Sequence, residues 1–223
     1  MGLSSRDEVD RYVLRERLGA GGNGEVYRAW DPVLGRHVAV KLLRASVVAS
    51  EDDWFRIARE ARAAGSLRHP AIIPIYDVRR SRDGRPFLVM ELVEGKTLEL
   101  LSLEGAPRGL ILRTVREVAD GLRLAHRHRL LHLDVKPGNI LVREGDGGAV
   151  LVDFGLARRI RVADATTIGF GETASFVTGW GLHGTPPYLA PEQVDRGTPS
   201  PATDQFQLAV TAFEALVGER PFQ

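Results

Sequence analysis

The sequence predicts an α+β fold in two lobes, a five-stranded antiparallel sheet with one helix followed by a mainly helical half, and three observations predict it. Residues 12–43 fall into three alternating apolar runs separated by turn signals at 19–24 and 31–36, the pattern of a strand meander. Residues 50–67 then show helical periodicity, and two further strand-like runs, 72–78 and 87–92, complete the sheet. After Glu94-Gly95 the patterning changes from strands to helices. We therefore expect an N-terminal extension over 1–11, a first lobe over 12–93 and a second over 94–223, with ligands favoured where the lobes join.

Composition narrows the function classes. The 223 residues, 43% hydrophobic and 26% charged, are ordinary for a soluble globular chain and sufficient for a sizeable core. A net charge of +1 with both signs interspersed leaves no basic stripe for nucleic acid. The absence of cysteine excludes disulfides and thiolate metal sites, and the six histidines show no metal-ligand spacing. No apolar run approaches the ~20 residues of a membrane span, and MGLSSRDEVDRY lacks the apolar centre of a signal peptide, so a cytoplasmic chain is expected. The basic residues are nearly all Arg; only Lys41, Lys96 and Lys136 are Lys. Against that background a Lys marks a position suited to a compact ammonium charge, and Lys41 and Lys136 are the candidates.

Gly19, Gly21, Gly22 and Gly24 crowd the first turn, which lets the backbone approach a ligand and aim N–H groups at phosphate oxygens. A dinucleotide fold uses the same glycine spacing but runs into a helix, whereas here the glycines lead into Glu25-Val26-Tyr27-Arg28-Ala29-Trp30, a strand-forming run. The third run ends in Val38-Ala39-Val40-Lys41, and period-two alternation places Ala39 and Lys41 on one sheet face. Small Ala39 leaves room there for a flat ring. Lys41 is either a functional cation or a protective edge charge.

Ser50 and Asp53 stand at capping-box spacing and start the helix. Its apolar stripe is Trp54, Ile57, Ala61 and Ala64, with Glu60 turned partly inward beside them. A carboxylate on a core-facing stripe needs a cation, either Lys41 or a neighbouring Arg. In the second lobe, Leu112, Val115, Val118, Leu122 and Ala125 form an amphipathic helix leading into residues 130–142, LLHLDVKPGNILV. Pro137 and Gly138 keep that stretch from being one regular element. The stretch is either a surface turn whose Asp, Pro, Gly and Asn serve turn chemistry or a site in which Asp134, Lys136 and Asn139 offer a proton acceptor, a cation for developing negative charge and a neutral oxygen ligand for a hard metal. A turn over 144–148 and the run Ala149–Val152 then form a hairpin that brings Asp153 beside Asn139, two oxygen donors suited to Mg2+.

These motifs in this order resemble the catalytic core of the eukaryotic-type protein kinase family, and most of all its bacterial serine/threonine members. They are Gly19-x-Gly21-x-x-Gly24-x-Val26, Val38-Ala39-Val40-Lys41, Glu60, His132-x-Asp134-x-Lys136-x-x-Asn139, Asp153-Phe154-Gly155 and Ala190-Pro191-Glu192. The resemblance implies ATP and Mg2+, with Mn2+ as a substitute, and a protein partner bearing Ser or Thr. It implies that Leu18, Gly19, Ala20, Gly21, Gly22, Asn23 and Gly24 cover the nucleotide and that Lys41, paired to Glu60, holds its α- and β-phosphates. Asn139 and Asp153 would hold the metal, and Asp134 would take the substrate proton with Lys136 neutralising the transferring group. Adenine would lie among Val26, Ala39 and Leu141, with hydrogen bonds at Glu91 and Val93 and Met90 at the rear. Thr185 would join the activation segment to Asp134 and Lys136, and Asp204 would begin the central helix over 204–217.

Three departures from the family stand out. Leu133 replaces the Arg that often pairs with a phosphorylated activation segment, so activity is expected to be independent of such phosphorylation. The segment from Asp153 to Glu192 is long and carries Thr166, Thr167, Thr173, Ser175 and Thr178 as candidate modification sites. Family members also continue with further helices, so a second lobe ending after its central helix is expected to be incomplete, with Phe206, Phe213 and Leu216 losing packing and Glu192 its distal Arg. The competing readings are a pseudokinase or nucleotide-binding scaffold and a small-molecule phosphotransferase; Lys136 and residues 184–192 argue against the last.

Overall fold

The computed structural model of the protein describes residues 8–21, 24–44, 50–154, 186–195 and 197–222. They form two compact units, Met1–Ser66 with Pro74–Val93, and Leu67–Ile73 with Glu94–Gln223.

In the first unit, Glu8–Val9 (β1), Tyr12–Gly21 (β2), Gly24–Asp31 (β3), Arg36–Leu43 (β4), Ile75–Arg80 (β5) and Pro86–Met90 (β6) build one sheet in the order β1-β2-β3-β4-β6-β5. All its pairings are antiparallel. The strand beyond the five expected is β1, whose two residues pair Glu8 with Val13 and Val9 with Tyr12 and are too short to leave a periodic signal. Alternation sorts the side chains. Tyr12, Ala29, Val38, Val40, Leu42, Phe87 and Val89 form a buried cluster on one face, with Tyr12 and Phe87 edge to face at 6.1 Å. Each large member contributes roughly 1.5–3 kcal/mol by burial. The opposite face then carries Val26, Lys41 and Leu88 in one cross-strand row and Arg28, Ala39 and Met90 in the next.

Glu51–Ser66 (α1) starts at a capping box: Asp53 N–H donates to Ser50 Oγ at 3.1 Å, and Ser50 N–H donates to Asp53 Oδ2 at 3.0 Å. Ile57, Ala58, Ala61 and Ala64 are buried along it, and Glu60 with them. Trp54 is only half-buried, with the Arg80 guanidinium 4.9 Å above its ring. The strand expected over 72–78 begins at Ile75 instead. Ile72 forms an isolated parallel bridge to Leu151, and Ile73 N–H donates to Leu151 C=O at 3.1 Å, which ties 67–73 to the second unit.

That unit holds a small sheet of Gly95–Thr97 (β7), Ile140–Arg143 (β8) and Ala149–Leu151 (β9), and the helices Leu98–Leu103 (α2), Arg108–Arg127 (α3), Pro191–Val194 (α4) and Pro201–Val217 (α5). The buried stripe of α3 is Ile111, Thr114, Val118, Gly121, Leu122 and Ala125, whereas Leu112 is 56% exposed. The expected stripe is thus correct from Val118 onward and one residue out of phase before it, because Leu110, Ile111 and Leu112 are apolar in succession and do not by themselves fix the buried face. Gly121 admits the 67–73 segment: a Cβ there would lie 3.3 Å from Ile72 Cγ1. Helix α5 opens three residues before Asp204, with Pro201 in its first turn and Ser200 Oγ accepting from Ala202 N–H at 3.2 Å, and it ends at Gly218 with φ 85°. Phe206 stacks on Phe222 at 5.9 Å and 8°, and Glu192 accepts a hydrogen bond from the Thr203 hydroxyl. Phe213 is largely exposed.

Candidate active site

Residues 130–136 run without regular structure into a 3₁₀ turn at Pro137–Asn139, as Pro137 and Gly138 dictate. The turn points Asn139 back at Asp134: Asn139 Nδ2 donates to Asp134 C=O at 2.8 Å and to Asp134 Oδ2 at 3.0 Å. Lys136 Nζ lies 3.0 Å from the same Oδ2. Of the three side chains singled out by spacing, Lys136 and Asn139 thus converge on the carboxylate of the third, Asp134.

His132 supports the loop from beneath. Its ring is fully buried, accepts from Asp134 N–H at Nδ1 (3.3 Å) and donates from Nε2 to Val152 C=O (2.9 Å). That pattern requires the neutral imidazole, and burial pushes its pKa down despite the pull of Asp204 and nearby carboxylates. The ring also meets Phe154 edge to face at 4.9 Å. Val152 N–H donates to Asn139 C=O at 2.9 Å, so Asp153 directly follows a residue bonded to Asn139. Asp153 has φ 63°, a left-handed conformation that Asp tolerates better than most residues.

The loop is seated on α5. Asp204, fully buried, accepts from His132 N–H (2.9 Å) and His126 Nε2 (2.7 Å) at Oδ2, and from Leu133 N–H (2.7 Å) at Oδ1. Burial alone would raise this carboxyl, but those donors, with the His126 hydrogen bond foremost, hold it below the usual carboxylate range. Gln207 Oε1 accepts from Val135 N–H at 2.9 Å, and Thr211 Oγ1 lies 3.4 Å from Val135 C=O. Neither Gln207 nor Thr211 stands among the residues expected from sequence. No local signal picks them out: Asp204, Gln207 and Thr211 recur at steps of three and four, but Thr203, Gln205 and Glu214 on the same helix are polar too.

Asn139 and Asp153 suit a hard divalent ion. With the Asn139 amide nitrogen committed to Asp134, its Oδ1 is the atom that could ligate such an ion, and Asp153 could add a carboxylate. Two protein oxygens fit Mg2+, which keeps waters and takes further ligands from phosphates.

The first unit holds the other expected residues. Gly19, Ala20 and Gly21 pair antiparallel with Val26, Glu25 and Gly24, and Leu18 just before them is exposed. A Cβ on Gly24 would lie 2.0 Å from Leu42 C=O, whereas one on Gly19 or Gly21 would meet nothing within 4 Å. The glycine at 24 is therefore demanded by the fold; the other two leave open space. Ala39 and Met90 are buried opposite one another, and Lys41 lies two residues from Ala39 on the same face, as alternation predicts. Glu60 is 7% exposed within the same unit. Glu91 N–H donates to Pro74 C=O at 3.0 Å, and residues 91–94, which include Val93, form no strand. In the second unit Leu141 pairs with Thr97 and Val150. Lys96, the remaining lysine, forms an exposed 2.8 Å pair with Glu104. Gly22, Asn23, Gly155, Thr185 and the hydroxyl residues between 166 and 178 lie outside the described residues.

A strand-rich first unit, a mainly helical second one and an Asp-x-Lys-x-x-Asn loop seated on the buried Asp204 and Gln207 of α5 define a bilobal, kinase-like class. Within that class the chain belongs to the protein kinase domain family, whose model matches residues 12–223. It is 40% identical over 215 residues to the serine/threonine-protein kinase PknL of Mycobacterium bovis, covering 95% of this chain and 50% of that protein. It is 39% identical over 228 residues to PknF of Mycobacterium tuberculosis, covering 100% of this chain and 46% of that one. Among solved structures, a Mycobacterium tuberculosis PknI kinase domain matches with a TM-score of 0.77 at 28% identity, over 100% of this chain and 80% of that one. The chain spans about a third to a half of the length of the curated relatives it matches.

Proposed function

We propose that this chain is a serine/threonine protein kinase that transfers the γ-phosphate of ATP to a protein hydroxyl. The observation that carries the reading is the convergence of Lys136 Nζ and Asn139 Nδ2, each 3.0 Å away, on Asp134 Oδ2, in a loop seated on Asp204. Asp134 orients the substrate hydroxyl and accepts its proton as the oxygen attacks phosphorus. Lys136 starts on that carboxylate and offsets negative charge on the transferring phosphoryl group. When bound, Mg2+ neutralises phosphate charge, and Asn139 and Asp153 are the residues that would hold it.

In the first unit, the hairpin from Leu18 to Val26 takes the phosphates, and Lys41 paired with Glu60 holds them. Val26, Ala39, Met90, Glu91 and Val93, with Leu141 of the second unit, are assigned to the adenine by motif position, and Thr185 to the link with the activation segment. The test is transfer of radiolabelled phosphate from ATP and Mg2+ to a generic basic protein. Lys41→Met and Asp134→Asn are expected to lower it about 10²- to 10⁴-fold while circular dichroism stays that of the wild type. Unchanged turnover in either variant sinks the assignment, and ATP binding without transfer in the wild type favours a scaffold instead.

A further inference from the structure

Asp134 lies between two peptide groups, and one side chain bonds to both. Gln207 Nε2 donates to Leu133 C=O at 3.2 Å, and Gln207 Oε1 accepts from Val135 N–H at 2.9 Å. The first belongs to the Leu133–Asp134 peptide and the second to the Asp134–Val135 peptide, whose orientations together set φ and ψ of Asp134 and hence the direction of its carboxylate. The remaining Nε2–H donates to Gln193 Oε1 at 2.9 Å, and that oxygen also accepts from Ala190 N–H at 3.0 Å.

Both glutamines are buried, Gln207 completely, so their amides have little recourse to water. Their orientation is forced. Rotating the Gln207 amide by half a turn would face NH2 with Val135 N–H and oxygen with both Leu133 C=O and Gln193 Oε1. The Leu133–Asp134 peptide also needs holding, because Leu133 carries φ 62°. Asp204 fixes the N–H of Leu133 and Gln207 fixes its C=O.

We propose that Gln207 is a positioning residue for Asp134, and that through Gln193 it locks the loop to the Ala190–Val194 turn with neutral amides. This rests on the reading of Asp134 as the carboxylate that acts on the substrate hydroxyl. The turn begins in the Ala190-Pro191-Glu192 motif, so the relay joins the catalytic loop to the chain that follows residues 153–189.

The test compares Gln207→Met, which keeps length and removes both polar atoms, with Gln207→Glu and Gln193→Met in the full chain. Three quantities are read: steady-state kinetics with ATP and a basic protein, their pH dependence, and amide hydrogen exchange over 130–139 and over α3. Gln207→Met is expected to lower kcat about 100-fold with KM for ATP within about threefold of wild type. Exchange should quicken over 132–135 and stay slow in α3. Gln193→Met, which cuts only the relay, is expected to lower kcat about tenfold. Gln207→Glu should regain activity as pH falls, because the protonated carboxyl returns one donor.

A kcat for Gln207→Met within about threefold of wild type, or exchange that quickens evenly through α3 as well, overturns the proposal. If Gln207→Met does not fold, Gln193→Met decides, and an unchanged kcat there overturns the relay. A wild-type chain that transfers no phosphate would count against the kinase reading alone. The exchange comparison would still decide whether Gln207 holds the loop.

Discussion

Leu133 holds φ 62° with its side chain 2% exposed, although the left-handed backbone costs a bulky residue roughly 1–2 kcal/mol. The conformation persists because its N–H and C=O are both bonded by α5, at 2.7 Å to Asp204 and 3.2 Å to Gln207. A buried leucine cannot offer a charge to a phosphorylated segment. We therefore expect phosphatase treatment to leave activity within about twofold of the untreated sample; complete loss of transfer would refute phosphate independence. Leu133→Arg is expected to lower the melting temperature, since it would bury a guanidinium where an alkyl group packs. The sequence displayed Asp134, Lys136 and Asn139 because their chemistry is packed into six residues. It concealed Gln207, whose partners Val135 and Leu133 are 72 and 74 residues away. No local pattern separates an inward glutamine from a solvated one.

At the scale of elements, α1 was legible down to its cap because Ser50 and Asp53 satisfy each other within one turn. The phase of α3 was legible only where apolar residues are spaced, because the consecutive Leu110-Ile111-Leu112 of its first turns fit more than one face. Its first turns hide behind exposed Leu112, which looks like a core residue but lies off the buried face. The β2–β3 hairpin shows the same division between what local chemistry declares and what packing decides. Its glycines suit close approach to phosphate, yet among the described Gly19, Gly21 and Gly24 only Gly24, with φ 153° and a would-be Cβ 2.0 Å from Leu42 C=O, is demanded by the strand beside it. Gly24→Ala is expected to destabilise the chain by about 1–3 kcal/mol, read as a lower urea midpoint. Gly21→Ala should stay within about 0.5 kcal/mol of wild type and raise KM for ATP instead. Equal midpoints for the two variants would show that the contact with β4 does not constrain the hairpin.

At the scale of the molecule, residues 67–73 precede β5 in sequence but pair with β9, a membership invisible without knowing that Ile72 meets Leu151. No helix among the described residues is long and apolar enough to cross a membrane. The second unit is organised around two titratable groups beneath the loop, and they give its stability a definite pH dependence. Burial, the largest influence on His132, pushes its pKa below 6.5. The unfolded chain thus takes up a proton near that pH that the folded chain refuses, and stability falls as pH drops below 6.5. Burial would raise Asp204, but hydrogen bonding from His126 and the loop N–H groups holds it below 3.8, so its contribution is intact above that pH and is lost beneath it. Above neutrality both contributions are complete. The melting temperature should therefore be insensitive to these groups above about pH 7 and decline in two stages on acidification, first below 6.5 and again below 3.8. His132→Asn should lower the plateau and flatten the upper stage while keeping the lower one. If that variant retains the full wild-type slope between pH 5 and 6.5, the buried imidazole is not its source.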